Sequence, residues 1–441
     1  MNDKGFSRGF TLIETLVGSA IFMLVALSAY QAFGVLMSAS SSVRAKVAAT
    51  ELANERFEIV RNLPYNDVGI AGGLPVGKLI RNQTFVRDNF SFSVQTTVRS
   101  TDDSFDGTIG GSPNDTSPAD YKLVDLDIAC SNCQNFSPLN FTTLVAPRAL
   151  ETASTNGALF IRAINASGVP VAGAGIHIVN TETNPDTIID ETTDNAGWVK
   201  IVDAPTGTAA YNITTTKTNF SQEQTYPVGG AAGPSPIKPD ANVVAQQVTQ
   251  LSFAIDVLSS LVVKSVDAAC VPLPSIGFSL TGTKLIGSPA VLKYPAHNFT
   301  TDALGNLPVP NLEWDTYGVL LTSLSYDLAG TTLLPNFIVN PNESKNLQIV
   351  AVPHVNRALL VSVKDAANTT IDGATVRLQK TGFDQTKTTN SGTCPTSGQV
   401  FWNGLVSGTY TLTVSKTGFQ TSVTSVNVSA NWMNQNVTLA P

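Results

Sequence analysis

The sequence predicts an α+β protein: one long N-terminal helix carrying a small antiparallel sheet head, followed by three all-β sandwich modules in series. Three observations predict it: an uncharged apolar run near the N-terminus, short alternating strands after it, and a segment that recurs three times without gaps. The chain of 441 residues is long enough for several domains, because single domains usually hold about 100–150 residues.

The charge and histidine content of the chain argue against several classes of function. The formal net charge is −7, and the 26 Lys and Arg residues are scattered along the chain. Nucleic-acid binders need clustered positive charge to neutralise phosphates, so no nucleic-acid partner is expected. The chain contains only three histidines, and they stand in separate contexts, which argues against most metal and acid–base chemistry.

The N-terminal region predicts a membrane-spanning helix. No charged residue occurs in the 29 positions from Thr15 to Val43, and about 20 apolar residues suffice to cross a bilayer. Lys4 and Arg8 precede the run, so the positive-inside rule predicts a single-pass protein with a cytoplasmic N-terminus. A secretory signal peptide fits less well, because its apolar core is shorter and its small-residue cleavage site follows that core.

The helix is expected to continue beyond the membrane. Apolar residues recur there at helical spacing on adjoining stripes. They are Ala48, Ala49, Leu52, Ala53, Phe57, Ile59, Val60 and Leu63. Leu63 precedes Pro64, and a residue before proline disfavours the α region. The prediction is one helix over residues 10–63, with residues 10–37 in the membrane.

Glu14 is out of place in an ordinary membrane anchor, because a lone carboxylate in lipid is costly. The string RGFTLIE, which ends at Glu14, resembles the class III signal of type IV prepilins and pseudopilins. The resemblance implies that prepilin peptidase removes a leader, residues 1–9, by cutting between Gly9 and Phe10, and that the Phe10 amine is methylated. It also implies that Glu14 pairs with the N-terminal amine of a neighbouring pilin subunit, as unlike charges in lipid require. A plain membrane anchor is the alternative.

Residues 64–150 predict the sheet head. Phe90–Val94 and Tyr121–Ile128 alternate between apolar and polar residues, as half-buried strands do. This region looks like the head of minor pilins and pseudopilins, and the resemblance carries no catalytic residue.

The rest of the chain repeats itself. Segments 157–178, 259–280 and 357–378 align without gaps, and each is followed by a Thr-Thr-Asp or Thr-Thr-Asn turn and further strands. This pattern predicts β-sandwiches and resembles the carboxypeptidase regulatory-like, prealbumin-like family, most clearly in the third copy. The expected boundaries are repeat 1 at 157–225, a Pro/Gly-rich linker at 226–250, repeat 2 at 251–350, a further linker near 335–356, and repeat 3 at 356–441. Such modules need bury little area together, so a semi-flexible array is expected.

The loop that contains Asp102, Ser104 and Asp106 has a residue pattern found in metal-binding sites. Asp102, Ser104 and Asp106 occupy alternate positions before a glycine, as in a calcium-binding loop. The twelfth position is Pro113 rather than glutamate, which excludes an EF-hand. A partial calcium site completed by Asp115 or backbone carbonyls stays open beside a plain solvated turn, and no other cofactor is expected.

Four cysteines leave several pairings open. Cys130 and Cys133 fit a local disulfide or two quiet thiols better than a zinc half-site, because no second pair has the spacing of a zinc ligand set. Cys270 and Cys394 lie in different repeats and either link them or stay free.

These patterns predict a structural and binding protein rather than an enzyme. The first hypothesis is a minor pilin or pilin-like filament subunit, held in the inner membrane before assembly and then extracellular. It would display its sandwiches to an unidentified surface ligand. The alternatives are a pseudopilin of a type II-like secretion or DNA-uptake system, and a pilin-anchored surface hydrolase.

Overall fold

The computed structural model describes residues 11–147, 153–390, 392, 394 and 396–441. It confirms the predicted fold class, with one long N-terminal helix followed by antiparallel and mixed sheets in four consecutive units.

Helix α1 runs from Leu12 to Asn62. It ends where predicted, because Leu63 before Pro64 is extended, with a ψ of 148°. The C-terminal half of the helix packs on the head sheet through a stripe of small and apolar side chains: Ala45, Ala48, Ala49, Leu52, Ala53, Phe57 and Val60. Ile59, which we placed on that stripe, is instead 43% exposed.

The head is a four-stranded antiparallel sheet in the order β1-β2-β3-β4. Its strands are β1 Asn82–Arg87, β2 Phe90–Thr101, β3 Tyr121–Cys130 and β4 Leu139–Val145. Val94 and Val98 of β2 with Val124, Leu126 and Ile128 of β3 are buried in one cluster with the helix stripe. The long loop between β2 and β3 leaves this sheet on the side of the first sandwich module.

The first module is a sandwich of two sheets. Its strands are β5 Gly157–Ile164, β6 Gly175–Asn180, β7 Thr187–Thr192, β8 Trp198–Ala204, β9 Gly207–Thr216, β10 Glu223–Gln224, β12 Ala241–Val243 and β13 Val248–Ala254. One sheet has the order β13-β5-β8, and the other has the order β10-β9-β6-β7 with β12 beside β9.

The second module has two four-stranded sheets, β19-β14-β23-β21 and β18-β15-β20-β22, and a hairpin β16-β17. Its strands are β14 Ser259–Val266, β15 Gly277–Gly282, β16 Leu285–Ser288, β17 Val291–Leu292, β18 His297–Thr300, β19 Asn306–Leu312, β20 Asp315–Leu321, β21 Tyr326–Thr331, β22 Asn336–Val339 and β23 Ser344–Pro353.

The third module pairs a sheet β27-β24-β30 with a sheet β26-β25-β28-β29. Its strands are β24 Ala358–Asp365, β25 Thr375–Lys380, β26 Phe383–Thr388, β27 Gln399–Trp402, β28 Gly408–Ser415, β29 Ser422–Val428 and β30 Trp432–Leu439. Trp402, only 2% exposed, lies in the core between these two sheets.

Both expected linkers are structured instead. Within 226–250, β12 and the start of β13 complete the first module, and strand β11 (Ser235–Pro236) pairs with β16 of the second. Near 335–356, β22 and β23 complete the second module. Proline and glycine content predicted loops there, but short edge pairings accommodate proline where its missing N–H faces away from the ladder.

The three modules share one topology. In each, the first strand pairs in parallel with the last strand and antiparallel with the strand after the Thr-Thr turn: β5 with β13 and β8, β14 with β23 and β19, β24 with β30 and β27. The second threonine of each turn is buried, and its hydroxyl accepts at 2.9–3.0 Å the backbone N–H of the residue that precedes the second strand of the module. These threonines are Thr193, Thr301 and Thr389. Each one satisfies a buried backbone donor, which explains why the motif recurs.

A buried tyrosine also recurs once per module. The hydroxyls of Tyr211, Tyr317 and Tyr410 donate to the backbone oxygens of Pro205, Glu313 and Val406 at 2.6–2.8 Å. Burial raises the pKa of Tyr211 to about 12 and also raises that of Tyr317. The tyrosines thus tie the start of β9, β20 and β28 to the preceding turn, much as a tyrosine corner does in other sandwiches.

The junction between the first two modules contains a shared ion cluster. Nζ of Lys293 lies 2.8 Å from a carboxylate oxygen of Glu223 in the first module and 2.9 Å from one of Glu313 in the second. Burial alone would lower the pKa of Lys293, but the two carboxylates raise it above its ordinary value. The junction is therefore held by specific charge pairs as well as by the β11–β16 pairing.

The junction between the last two modules is covalent. Cys270 and Cys394 form a disulfide across a sequence separation of 124 residues, with their Cα atoms 5.0 Å apart. Beside it, the Gln399 amide donates to the backbone oxygen of Thr331, and the Trp432 indole donates to that of Leu328. These contacts and the ion cluster replace the expected semi-flexible array with tethered neighbours.

Replacing both Cys270 and Cys394 with serine is expected to lower the free energy of unfolding of the last two modules by about 2–4 kcal/mol, because a long loop in the unfolded chain is released. Differential scanning calorimetry of the full chain measures the change. Replacing both Cys130 and Cys133 with serine is the matched control, since that disulfide closes a separation of only 3 residues within the head. Unchanged melting of the last two modules would contradict the expectation.

Candidate functional site

The N-terminal half of α1 presents a continuous apolar surface. Most of its large side chains are more than half exposed: Leu12, Ile13, Leu16, Ile21, Phe22, Met23, Leu24, Val25, Leu27, Tyr30, Phe33, Val35, Leu36 and Met37. Surfaces of this size are rarely left in water, and the helix is long and apolar enough to cross a membrane. The surface can therefore be covered by lipid or by the same helix of other subunits.

Glu14 lies at the start of this surface, in a reciprocal helix cap. Thr11 is the N-cap residue, and its hydroxyl accepts the Glu14 backbone N–H at 3.3 Å. In return, the Glu14 carboxylate accepts from the backbone N–H and the hydroxyl of Thr11, both at 3.0 Å. A negative charge in the first helical turn is also favoured by the helix dipole.

This geometry points the Glu14 carboxylate back along the chain, towards the residues that precede the helix. Gly9 and Phe10, the residues predicted at the cleavage site, lie outside the described residues. Sequence reasoning missed the role of Thr11, although the spacing Thr-x-x-Glu is a known signature of such a cap. The carboxylate is exposed, and both hydrogen bonds from Thr11 end on its Oε2.

The loop between β2 and β3 gathers aspartates in two groups. Asp102, Asp115 and Asp120 each offer a carboxylate oxygen within 4.8 Å of the others, and Asp103 and Asp106 form a second such group with the same Asp120. The alternate-position pattern predicted Asp102, Ser104 and Asp106 as ligands. In the structure, Asp102 and Asp106 fall in different groups of carboxylates, and Ser104 is exposed.

Asp120 was missed because it lies 14 residues beyond Asp106, next to β3 rather than in the loop. Pairing of β2 with β3 brings Thr101 opposite Tyr121, and so returns Asp120 to the beginning of the loop. The Asp103 backbone N–H donates to Asp120 at 2.5 Å. The alternating pattern of β3 was recognised in the sequence, but its register against β2 was not, and that register places Asp120 beside Asp103.

The cysteines form two disulfides, Cys130–Cys133 in the head and Cys270–Cys394 between modules. Of the three histidines, His177 and His354 pair with Asp190 and Asp327, and His297 contacts the Tyr294 ring. Within the described ranges, the groups of side chains close enough to hold a metal are made of aspartate.

Two adjoining grooves separate the head from the first module. One, of about 390 Å³, lies between Asp102 and Ile109 on the head and Phe160 and Trp198 on the module. The other, of about 490 Å³, continues past His177.

Arg99 lines both grooves, and Glu191 lies beside it. Burial raises the pKa of Glu191, although the nearby guanidinium groups of Arg99 and Arg81 act to lower it. The grooves are open and have mixed polar and apolar linings, and they mark the seam along which the module sits on the head.

Family comparisons identify two parts of the chain. The prokaryotic N-terminal methylation motif matches residues 4–30, and the carboxypeptidase regulatory-like domain matches residues 358–440. The predicted resemblances of the N-terminus and of the third repeat are thereby confirmed. The chain is pilin-like at its N-terminus and ends in a regulatory-like sandwich.

Solved protein structures resemble the chain only distantly. The Bacillus anthracis TIE protein has 14% identity and a TM-score of 0.20, covering 82% of this chain, which spans 61% of that one. A streptococcal ancillary pilin has 15% identity and a TM-score of 0.18, covering 65% of this chain and 98% of its own. BcpA, the major pilin subunit of Bacillus cereus, has 10% identity and a TM-score of 0.17, covering 65% and 99%. TM-scores this low establish neither a shared fold nor a shared function, and no curated protein matches the chain.

Proposed function

We propose that this chain is a minor pilin of a type IV filament, processed by prepilin peptidase and assembled through its N-terminal helix. The observation that carries the proposal is the methylation motif at residues 4–30, which runs directly into an exposed apolar helix with a carboxylate in its first turn. A helix of this kind needs lipid before assembly and other subunits afterwards, because water is a poor solvent for it.

Lys4 and Arg8 support an insertion with the N-terminus in the cytoplasm and the head and modules outside. The two disulfides suit an oxidising extracellular environment. In the assembled filament the four units would project from the helical core, with the three sandwiches as the part that surface ligands meet.

The described side chains support a structural role rather than catalysis. His177 and His354 are each engaged by one aspartate, and the two grooves between the head and the first module are open seams between units. Neither arrangement provides the nucleophile–base pair that hydrolysis of a bound substrate requires. We therefore place the function of the sandwiches in display and attachment.

Mass spectrometry of the mature N-terminus tests the proposal most directly. In cells that express a prepilin peptidase, we expect the first residue to be Phe10 carrying one methyl group on its amine. A chain that retains Met1 in such cells would overturn the assignment, because the Phe10 amine would not exist.

Mechanical shearing separates the two kinds of filament protein. A minor pilin is expected in the sheared filament fraction, together with the major subunit. Recovery of a correctly processed Phe10 chain only in the membrane fraction would instead favour a pseudopilin of a secretion or uptake system.

A further inference from the structure

The loop between β2 and β3 contains clustered negative charge, partly buried, that no described side chain pairs with. Five aspartates lie between residues 102 and 120: Asp102, Asp103, Asp106, Asp115 and Asp120. Among the described residues, none of these carboxylates has a Lys, Arg or His within ion-pair distance, although Arg99, Lys200, Glu191 and Asp194 line the same groove as Asp102. Arg99 is already engaged by Asp125 and Glu191.

The hydrogen bonds in this loop satisfy only part of each carboxylate. One oxygen of Asp102 accepts the Ile109 backbone N–H at 2.9 Å, and Oδ1 of Asp115 accepts that of Ser117 at 2.7 Å. Their other oxygens, Oδ1 of Asp102 and Oδ2 of Asp115, are buried without a hydrogen-bond partner. Asp115 is only 6% exposed, so its side chain is largely removed from bulk solvent. Buried carboxylate oxygens are normally paired or bound to a metal ion.

The three carboxylates of Asp102, Asp115 and Asp120 lie close enough to repel one another when all are ionised. A doubly charged cation between them would stabilise all three carboxylates together.

We propose that this loop binds one calcium ion through Asp102, Asp115 and Asp120. The available ligands are carboxylate oxygens, which suit hard cations, and the absence of nearby sulfur or imidazole ligands among the described residues disfavours zinc and copper. Calcium fits better than magnesium because the ligands sit on an irregular loop, and calcium tolerates irregular geometry with backbone oxygens. Asp103 and Asp106 add negative charge beside Asp120.

Calcium would act on the seam between the head and the first module. Ile109, 5% exposed, packs with Ala158 and Val202 of that module. The Ser154 backbone N–H donates to the Thr116 backbone oxygen at 2.9 Å. Both contacts start from the aspartate loop, so an ion that orders the loop also fixes the module on the head.

Isothermal titration calorimetry of the full chain in detergent, stripped with EDTA, tests the site. We expect calcium to bind with a Kd of about 0.1–1 mM, in the range of extracellular calcium modules, and magnesium to bind more weakly. Asp115→Asn is expected to weaken calcium binding by about tenfold or more, since it removes one charged ligand. Asp88→Asn, an exposed aspartate in the β1–β2 turn, is the matched control and is expected to bind calcium as the unaltered chain does.

Two further measurements keep the test independent of misfolding. In EDTA, Asp115→Asn is expected to melt no lower than the unaltered chain, because an unpartnered buried charge has been removed. Hydrogen exchange should show calcium protecting residues 102–120 in the unaltered chain and not in the variant. No heat of binding at about 10 mM calcium, or equal calcium affinity in Asp115→Asn, would overturn the proposal.

Discussion

Glu14→Gln is expected to leave cleavage after Gly9 intact while reducing the amount of this chain in the sheared filament fraction by more than about tenfold. Glutamine keeps an oxygen that accepts the Thr11 N–H, so the helix cap survives, but it removes the negative charge. The Phe10 amine of a neighbouring subunit would then enter the apolar filament core without a counter-charge. Quantitative immunoblots of filament and membrane fractions measure the effect.

Three variants separate charge from capping and from general damage to the helix. Glu14→Ala loses both the charge and the cap, and it should assemble no better than Glu14→Gln. Thr11→Val loses the cap hydroxyl but keeps the Glu14 charge, so it should assemble substantially better than either. Glu51→Gln makes the same change on an exposed face of the same helix, outside the apolar run, and should assemble normally.

The outcome for Glu14→Gln decides between two roles for the carboxylate. If Glu14→Gln enters filaments as well as the unaltered chain, the carboxylate serves only as a helix cap, which the structure already shows it to be. If Thr11→Val fails as badly as Glu14→Ala, capping rather than charge pairing is the requirement. N-terminal sequencing of each variant ensures that a loss of processing is not mistaken for a loss of assembly.

The helix and the repeats could be predicted because their signals are local. The run from Thr15 to Val43 carries no charge, and Pro64 stops the helix, so both depend on neighbouring residues alone. The repeated segments are also recognised from neighbouring residues, although Thr193, Thr301 and Thr389 bond backbone N–H groups 15 to 25 residues earlier. Similar sequence segments therefore produced the same topology three times.

The module boundaries could not be predicted, because they depend on pairing between distant strands. Val248–Ala254 belongs to the first module only because it lies parallel to Gly157–Ile164, about ninety positions earlier. Nothing in the composition of 226–250 reveals that partner, whereas its Pro and Gly content imitates a linker. The last strand of each module pairs with a distant first strand, and local propensity does not predict such a pairing.

The aspartate loop shows the same limit on a smaller scale. Alternation identified Asp102 and Asp106, but an ion needs ligands that converge in space. That convergence comes from β2 pairing with β3, which returns Asp120 to the loop, and from the burial of Asp115. Ser104 fits the alternating pattern, and its side chain is exposed.

Leu360→Ala is expected to lower the free energy of unfolding by about 2–5 kcal/mol and to destabilise two modules at once. Leu360 belongs to β24 of the third module, yet its side chain, 0% exposed, lies in the core cluster of the second module with Leu328 and Leu347. Truncating it leaves a cavity at the shared face, where Phe401 and Trp432 of the third module also pack. Hydrogen exchange by mass spectrometry locates the effect, since unfolding of a multidomain chain is not a single transition.

Leu359→Ala provides the matched control, because Leu359 is the adjacent residue of the same strand and is equally buried. Its side chain faces the opposite way, into the third module's own core with Trp402 and Val437. We expect Leu359→Ala to speed exchange in β25 and β28, whereas Leu360→Ala should also speed exchange in β21 and β23. If both variants affected the third module alone, the packing of Leu360 in the core of the second module would contribute little to stability. The disulfide between Cys270 and Cys394 would then be the main link between the two modules. If the distinction holds, the last two modules unfold as coupled neighbours, and a load applied at the distal end of the chain is borne by packed side chains as well as by one covalent bond.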